Sequence, residues 1–207
     1  MWKLKDNLYT DDYFEKYGIL CFTSTACAGD MKIDSNRSKL YESLKIKKNI
    51  FGEQTHSDNI TIISKDNMEE KFNGVDGYIT CLKNVGLAVF TADCIPVFFF
   101  DKKKKTIGVV HAGRAGVEKM IIPKTIDIME KQFGSSAADI YVSAGPHIMN
   151  CCYDIDMDDK LKNQITEKGV KDYCFSGICT HEKEFFSYKR DRTEKRMISV
   201  IMAVKND

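Results

Sequence analysis

The segment TADCIPVFFFDKKKKTIGVVHAG, residues 91–113, decides how this chain folds. Its apolar runs, residues 95–100 and 106–111, flank a charged stretch that suits a solvated turn. These runs and the preceding one, residues 86–91, are almost continuously apolar instead of alternating. Strands of that kind are usually covered on both faces. The segment therefore predicts a hairpin inside a layered architecture of helices and sheets.

The turn of this hairpin sets which residues face one another. A turn centred near Lys103 and Lys104 places His111 near Pro96 and Cys94 near Gly113. Cys94 and His111 then lie at the open end of the hairpin, with backbones about 7–8 Å apart. A proline near a strand start fits this arrangement, because its backbone nitrogen cannot donate to a ladder.

The rest of the chain alternates short strand patterns with helical ones. Residues 116–133 are predicted to be helical, with Pro123 marking either a kink or a fresh first turn. The other predicted helices are residues 35–47 and 157–168, and the other predicted strands are residues 19–25, 50–54, 60–64, 77–80, 140–144 and 197–204. No repeat or linker divides the sequence, which predicts one domain over residues 1–207.

Composition limits the classes of function. The 31 basic and 30 acidic side chains give a formal charge of +1, so there is no basic field to hold nucleic acid. Neither a signal peptide nor an apolar run of about 18 residues is present, which predicts a cytoplasmic protein without membrane contact. Eight cysteines in that compartment are expected to stay reduced thiols.

Cys94 and His111 together form half of a possible zinc site. A catalytic zinc usually has three protein ligands and an open fourth position, so the third ligand would come from another loop. His56, in the polar segment GEQTHSDN between two predicted strands, suits that place. Spacing alone leaves the alternatives open that Cys94 is a buried thiol and that each histidine is an ordinary polar residue.

Six segments together resemble a known family, the YfiH-type laccase-domain proteins. The segments follow the family's order and are GEQTHSDNI, DGYIT, GLAVFTADCIPVFFFD, IGVVHAGRAGV, GPHIMNCCYDID and FFSYKRDRTEKRM. The resemblance implies a single-domain α+β fold with mixed β-sheets flanked by helices. It also implies a zinc ion held by His56, Cys94 and His111, with Cys94 and His111 taking part in catalysis.

The resemblance further implies an enzyme acting on purine nucleosides and phosphate. Members are purine nucleoside phosphorylases, some with adenosine deaminase and methylthioadenosine phosphorylase activity. Alternatives are a copper-dependent polyphenol oxidase, after the older family name, and a non-enzymatic or cell-wall editing role. The chain has only four histidines, and several copper centres need many more, so zinc is favoured over copper.

Residues beside the proposed ligands carry open alternatives. Asp93 is predicted to be catalytic, as a proton shuttle or a support for the ligands, or else to cap a turn. Arg114 stands in HAGRAG where the family usually has HAGWRG; it is predicted to bind a substrate oxyanion or to be a solvated helix-start residue. Near Thr25 the family often has Arg-Gly-Gly, and this chain has STACAGD, which puts phosphate binding in question.

His147 is predicted to border the substrate cleft or to lie on the surface, and Arg190 to line the site.

The spacing of the cysteines in the C-terminal third of the sequence gives only weak support for a second metal site. Cys151 and Cys152 are adjacent, which argues against both serving one ion. Cys174, Cys179 and His181 have the loose spacing of a weak second zinc motif without an evident fourth ligand.

Overall fold

The computed structural model describes residues 1–204, so the last three residues of the predicted domain, 205–207, lie outside the described part. The strands are β1 (Trp2–Lys5), β2 (Leu8–Asp11), β3 (Ile19–Ser24), β4 (Asn49–Ile50), β5 (Gly52–Glu53), β6 (Ile60–Ile62), β7 (Phe72–Asn73), β8 (Gly77–Thr80), β9 (Gly86–Thr91), β10 (Ile95–Asp101), β11 (Ile107–Ala112), β12 (Ile140–Ala144), β13 (Asp172–Phe175) and β14 (Met197–Ala203). The α-helices are α1 (Asp12–Glu15), α2 (Asp34–Ser43), α3 (Arg114–Glu118), α4 (Ile121–Phe133), α5 (Met157–Glu167) and α6 (Tyr188–Asp191).

Two six-stranded sheets form the centre of the molecule. The first has the order β1-β2-β3-β14-β9-β4 and the second β13-β12-β10-β11-β8-β6. Most neighbours are antiparallel, but β4 runs parallel to β9, β13 to β12 and β6 to β8. This confirms the predicted α+β class with mixed β-sheets.

The central hairpin has the predicted register. Pro96 pairs with His111 in the β10–β11 ladder. At the closed end, a carboxylate oxygen of Asp101 accepts hydrogen bonds from the backbone N–H groups of Lys103 and Lys104, at 2.7 and 2.9 Å. This side chain stabilises the tight turn, which in turn places Cys94 and His111 at the opposite end.

The sheets and helices stack in four layers. Apolar side chains of β9 and β14 meet those of β10 and β11 between the two sheets, with Phe98 and Val109 fully buried there. The other face of the second sheet, including Phe99, is covered by α4 and α5. The other face of the first sheet packs beside α2. Within residues 1–204, no helix has the length and apolarity needed to cross a membrane.

The predicted helix over residues 116–133 is two helices. Met120 adopts a left-handed conformation with φ 64° between α3 and α4, which breaks the helical path. Pro123 is the third residue of α4, so the first-turn alternative is the one observed. First-turn N–H groups have no intrahelical acceptor, and a proline there costs no hydrogen bond.

Other elements are shorter than predicted or were missed. The predicted helix over residues 35–47 ends at Ser43, and Lys45 has φ 56°. The N-terminal hairpin β1–β2 was not predicted. Its two-residue turn, Asp6 and Asn7, has positive φ at both positions, the geometry that twisted hairpins favour.

Candidate metal centre and cleft

His56, Cys94 and His111 meet at the open end of the central hairpin. One ligand atom from each lies within 4.8 Å of the other two. The Cys94 Sγ is 3.8 Å from His56 Nε2, and the two imidazole rings have centroids 4.7 Å apart. His111 is buried, Cys94 is half-buried and His56 is exposed. The structure therefore brings together the three residues that the sequence singled out as metal ligands.

Different elements supply the three side chains. His111 lies near the end of β11, and Cys94 immediately precedes β10. Asp93, with φ 89°, turns the chain between β9 and β10. His56 lies in the loop between β5 and β6 in a left-handed conformation with φ 57°. Two loops and a strand end thus converge from separate parts of the sequence.

Asp76 organises this convergence, and sequence reasoning gave it no role. Its buried carboxylate accepts hydrogen bonds from the backbone N–H groups of Thr55, His56 and Ser57 at 3.1, 3.1 and 2.8 Å. It also accepts from Ser57 Oγ and from His111 Nδ1, both at 2.7 Å. One carboxylate therefore ties the His56 loop to the His111 ring and leaves Nε2 of His111 for a ligand. A carboxylate behind a ligating imidazole is common in metal sites, and the only sequence signal was its place in DGYIT.

The charges in this group are strongly coupled. Burial opposes ionisation of the Cys94 thiol, but the charge of His111 and hydrogen bonds with both imidazoles lower its pKa to about 6. Burial also opposes the His111 imidazolium, yet the Cys94 thiolate and Asp76 raise the pKa of His111 to about 9. Hydrogen bonds from His111 and Ser57 outweigh burial and hold the pKa of Asp76 well below its usual value. These shifts favour a thiolate on Cys94 beside an imidazolium on His111 that is held by the Asp76 carboxylate.

Gly113 leaves the space that the group occupies. A Cβ atom at this position would lie 2.7 Å from His56 Cδ2 and 3.2 Å from Cys94 Sγ. Either distance is too short for a relaxed contact with the imidazole or the sulfur. Its φ is −73°, so the requirement for glycine is steric and does not come from the backbone conformation.

The three residues line a cleft of about 1380 Å³. Aromatic and cationic side chains share its walls, among them Phe51, Phe90, Tyr153, Tyr188, Arg114 and Lys189. Arg37 lies over the ring of Phe51 at 5.0 Å and that of Phe90 at 5.9 Å. The ammonium of Lys189 is 5.6 Å from the ring centroid of Tyr153. The cleft is thus suited to a ligand with both a flat ring and negative charge.

Asp93 and Arg114 both line this cleft, but the Asp93 carboxylate is held by hydrogen bonds on both oxygens whereas the Arg114 side chain is mostly exposed. The carboxylate of Asp93 accepts from the Thr180 hydroxyl at 2.9 Å and from the backbone N–H of Lys189 at 2.6 Å. Both oxygens are therefore engaged in holding loops. Arg114 is the first residue of α3, its side chain is 59% exposed, and its Nε donates to Glu118 at 2.9 Å.

His147 and Arg190 are not where the sequence placed them. His147 is buried, so the surface alternative is wrong; its Nδ1 donates to the Gly145 carbonyl at 2.9 Å. Arg190 does not line the cleft. Its guanidinium donates to the backbone carbonyls of His181 and Phe185 at 2.6 and 2.9 Å and holds that loop in shape.

Three cysteines group in a way that their spacing in the sequence did not indicate. Cys151, Cys152 and Cys179 bring their sulfur atoms within 4.8 Å of one another, although the first two are adjacent in sequence. Cys174 and His181 join no such group within residues 1–204. The sulfur of Cys179 instead meets the turn that holds Cys151 and Cys152.

Comparisons with known proteins agree with this architecture. The family described as multi-copper polyphenol oxidoreductase laccase matches residues 27–159. A Clostridium acetobutylicum protein named purine nucleoside phosphorylase is 33% identical over 198 residues, covering 82% of this chain and 83% of the relative. An Aquifex aeolicus protein of the same name is 33% identical over 172 residues, covering 72% and 80%.

Solved structures show the same fold. YlmD from Geobacillus stearothermophilus superposes with a TM-score of 0.90 at 23% identity, covering 99% of each chain. The Bacillus licheniformis protein YfiH superposes with a TM-score of 0.89, also at 23% identity and 99% of each chain. From the sequence matches and the shared fold, we conclude that this chain belongs to the YfiH-type family described as multi-copper polyphenol oxidoreductase laccase.

Proposed function

We propose that this chain is a zinc-dependent purine nucleoside phosphorylase. The observation that carries the proposal is the convergence of two imidazoles and one thiol on the wall of a large aromatic cleft. The names of the Clostridium and Aquifex relatives support the reaction class. The contacts that would hold a purine nucleoside and phosphate come from residues of this chain's own cleft.

The donor set of His56, Cys94 and His111 fits zinc. Zinc bonds of about 2.0–2.3 Å put neighbouring ligand atoms roughly 3.3–3.8 Å apart in a tetrahedron, and the observed separations are within 4.8 Å. The thiol already favours its ionised form, which is the form that binds metal. Three protein ligands leave one position for a substrate atom. Zinc held there supplies Lewis acidity at that position.

The cleft suits a nucleoside. Its volume of about 1380 Å³ exceeds the roughly 300–1,000 Å³ of most small-molecule sites, leaving room for a nucleoside and phosphate together. Phe51, Phe90, Tyr153 and Tyr188 provide faces on which a purine can stack. The aromatic residue missing from HAGRAG is therefore not the only source of stacking surface.

Arg114 and Lys189 are the cations we assign to phosphate. Both line the cleft, and most of the Arg114 side chain is exposed. In phosphorolysis a phosphate oxygen forms a bond to the sugar C1′ as the bond from C1′ to the purine nitrogen breaks. The electron pair of the broken bond stays on the purine nitrogen. Fixed cations orient the attacking oxyanion. Asp93 acts as a positioning residue, because its carboxylate holds the Lys189 backbone in place.

Adenosine deamination and methylthioadenosine phosphorolysis are further activities we assign to the same cleft. The first would need a water molecule at the open position to attack the purine carbon that bears the amino group, with release of ammonia. A multicopper oxidase is disfavoured by the histidines available. His147 is buried, its Nδ1 donates to the Gly145 carbonyl and its Nε2 lies 2.9 Å from Asp158 Oδ1, so both ring nitrogens are engaged and neither is free for another copper centre.

A product assay tests the proposal. The purified protein loaded with zinc is incubated with adenosine, inosine or methylthioadenosine, with and without phosphate, and free base and inosine are separated by chromatography. We expect phosphate-dependent release of base, lost in His111→Ala and kept in His181→Ala, whose side chain lies outside the group. Metal analysis of the purified protein reports zinc or copper in the same samples.

Release of neither base nor inosine by folded, zinc-loaded protein would refute the enzyme proposal and favour a non-enzymatic role. Equal activity in His111→Ala would refute the site assignment alone. Copper in place of zinc, with oxidation of phenols, would support the older family name.

A further inference from the structure

A second group of sulfur atoms lies outside the centre described above. Cys151 and Cys152 occupy a turn between β12 and α5, and Cys179 lies in the loop after β13. Their three Sγ atoms are within 4.8 Å of one another, with Cys151 and Cys152 at 3.6 Å. We call these residues the thiol cluster. Cys151 is exposed and the other two are half-buried, so the cluster is open to solvent.

Backbone pairing holds the two loops of the thiol cluster together. His147 and Cys179 form a parallel bridge. The His147 N–H donates to the Ile178 carbonyl at 3.2 Å, and the Thr180 N–H donates to the His147 carbonyl at 2.9 Å. The meeting of the three thiols is thus a consequence of the fold and not of flexible side chains alone.

A backbone donor also points at the cluster. The Met149 N–H lies 3.5 Å from the Cys179 Sγ. A hydrogen bond of this kind favours a sulfur that carries negative charge, as a metal-bound thiolate does.

The sulfur separations fit a shared ion. Two thiolates bound to one ion at about 2.3 Å lie roughly 3.8–4.0 Å apart in tetrahedral or trigonal geometry. The sulfur atoms of Cys151 and Cys152 are 3.6 Å apart. The two separations to the Cys179 sulfur are at most 4.8 Å, so each would have to shorten by no more than about 1 Å to reach the geometry of a shared ion. An exposed turn can make that adjustment with side-chain rotation.

We propose that the thiol cluster is a separate binding site for a soft monovalent cation, Cu(I). Its donor set is three sulfurs, unlike the two nitrogens and one sulfur of the first centre. All-thiolate sets select soft ions such as Cu(I), while structural zinc sites need four ligands. Among the described residues, no fourth His, Cys, Asp or Glu atom joins the cluster. Binding releases the thiol protons to solvent, and copper keeps its oxidation state.

This proposal does not depend on the proposed function, and its test uses no enzyme activity. The Cys94→Ser variant removes the thiolate of the first centre and serves as the parent protein. Under anaerobic, reducing conditions it is titrated with Cu(I) in competition with a coloured Cu(I) chelator, and thiolate-to-copper absorption is recorded. Parallel titrations use Cys94→Ser with Cys179→Ser, with Cys152→Ser, and with Cys81→Ser, which changes an exposed cysteine outside the cluster.

We expect the parent to bind one Cu(I) with sulfur-to-metal absorption. The Cu(I) affinity should fall more than about tenfold in the Cys179 and Cys152 variants. Even the loss of a group that only supports a metal ligand lowers metal affinity about 10–100-fold, and these variants lose a ligand itself. The Cys81 variant should match the parent. Circular dichroism checks that each variant is folded, and the two cluster variants test the same site through different loops. Equal Cu(I) affinity in all variants, no Cu(I) binding by the parent, or binding of Zn(II) in preference to Cu(I) would each overturn the proposal.

Discussion

Replacing Asp76 with asparagine tests how the metal centre is built. In Asp76→Asn one carboxylate oxygen becomes an amide NH2. The remaining oxygen can keep the bonds from His56 N–H and His111 Nδ1, which already share Oδ1 in the unmutated protein. The NH2 group then takes the place of Oδ2 and faces the backbone N–H groups of Thr55 and Ser57, which lose their acceptor, while the Ser57 hydroxyl can rotate to accept from it. The ring of His111 also loses a negative partner.

The magnitude follows from these bonds. Hydrogen bonds to a charged group contribute about 1.5–3 kcal/mol each, and two are lost. Thr55 is exposed and Ser57 half-buried, so water recovers part of that energy. We expect a loss of about 2–4 kcal/mol in the free energy of unfolding of the metal-free protein. Zinc affinity should fall about 10–100-fold, the usual effect of removing a carboxylate behind a ligating histidine.

Asp101→Asn is the matched control. Asp101 is also buried, but it lies at the closed end of the same hairpin, and one of its oxygens accepts from the backbone N–H groups of both Lys103 and Lys104. An amide oxygen can keep both. Urea unfolding reports stability, and competition with a chromogenic chelator reports zinc affinity. Equal zinc affinity in the Asp76 and Asp101 variants would refute the role given to Asp76.

Three further predictions concern the same region and the core. Gly113→Ala should fold normally but bind zinc at least about tenfold more weakly, because its Cβ would lie 2.7 Å from His56 Cδ2; unchanged affinity in the chelator assay would contradict the steric argument. Alkylation of Cys94 by iodoacetamide in metal-free protein should be slow below pH 6, and its rate should reach half its maximum near pH 6. An ordinary cysteine has this midpoint near about pH 8.5. Mass spectrometry of the labelled peptide measures the rate at each pH, and a midpoint near about pH 8.5 would rule out the ion pair with His111. Phe99→Ala should cost about 3–5 kcal/mol in urea unfolding, since Phe99 is fully buried beneath α4 and α5; a loss below about 1 kcal/mol would contradict the layered core.

Much of the fold could be predicted because its signals are local. A tight turn sets hairpin register residue by residue, and the Pro96–His111 pairing followed from the position of the lysine turn. Continuous apolar runs marked strands covered on both faces. The break at Met120 was harder to place, since residues on both sides have a helical pattern and a single left-handed residue separates α3 from α4.

Two of the three metal ligands could be predicted from the sequence more directly than the third, because only those two belong to one local element. Cys94 and His111 belong to one hairpin, so their proximity is a local property. His56 belongs to a separate loop whose polar sequence only suggested a ligand, and the resemblance to a family made that assignment firm before the structure placed His56 beside the other two. Asp76 gave no signal of its own, because its role consists of hydrogen bonds to groups about twenty to thirty-five positions away.

The amino-acid sequence alone determined the central strands, their hairpin and the class of architecture, because side-chain periodicity and turn chemistry act over a few residues. Tertiary structure decided which loops meet. It joined Cys179 to Cys151 and Cys152, buried His147, and turned Arg190 toward backbone carbonyls. Those contacts depend on the packing of two sheets whose strands are far apart in the chain, and no short-range pattern records that packing.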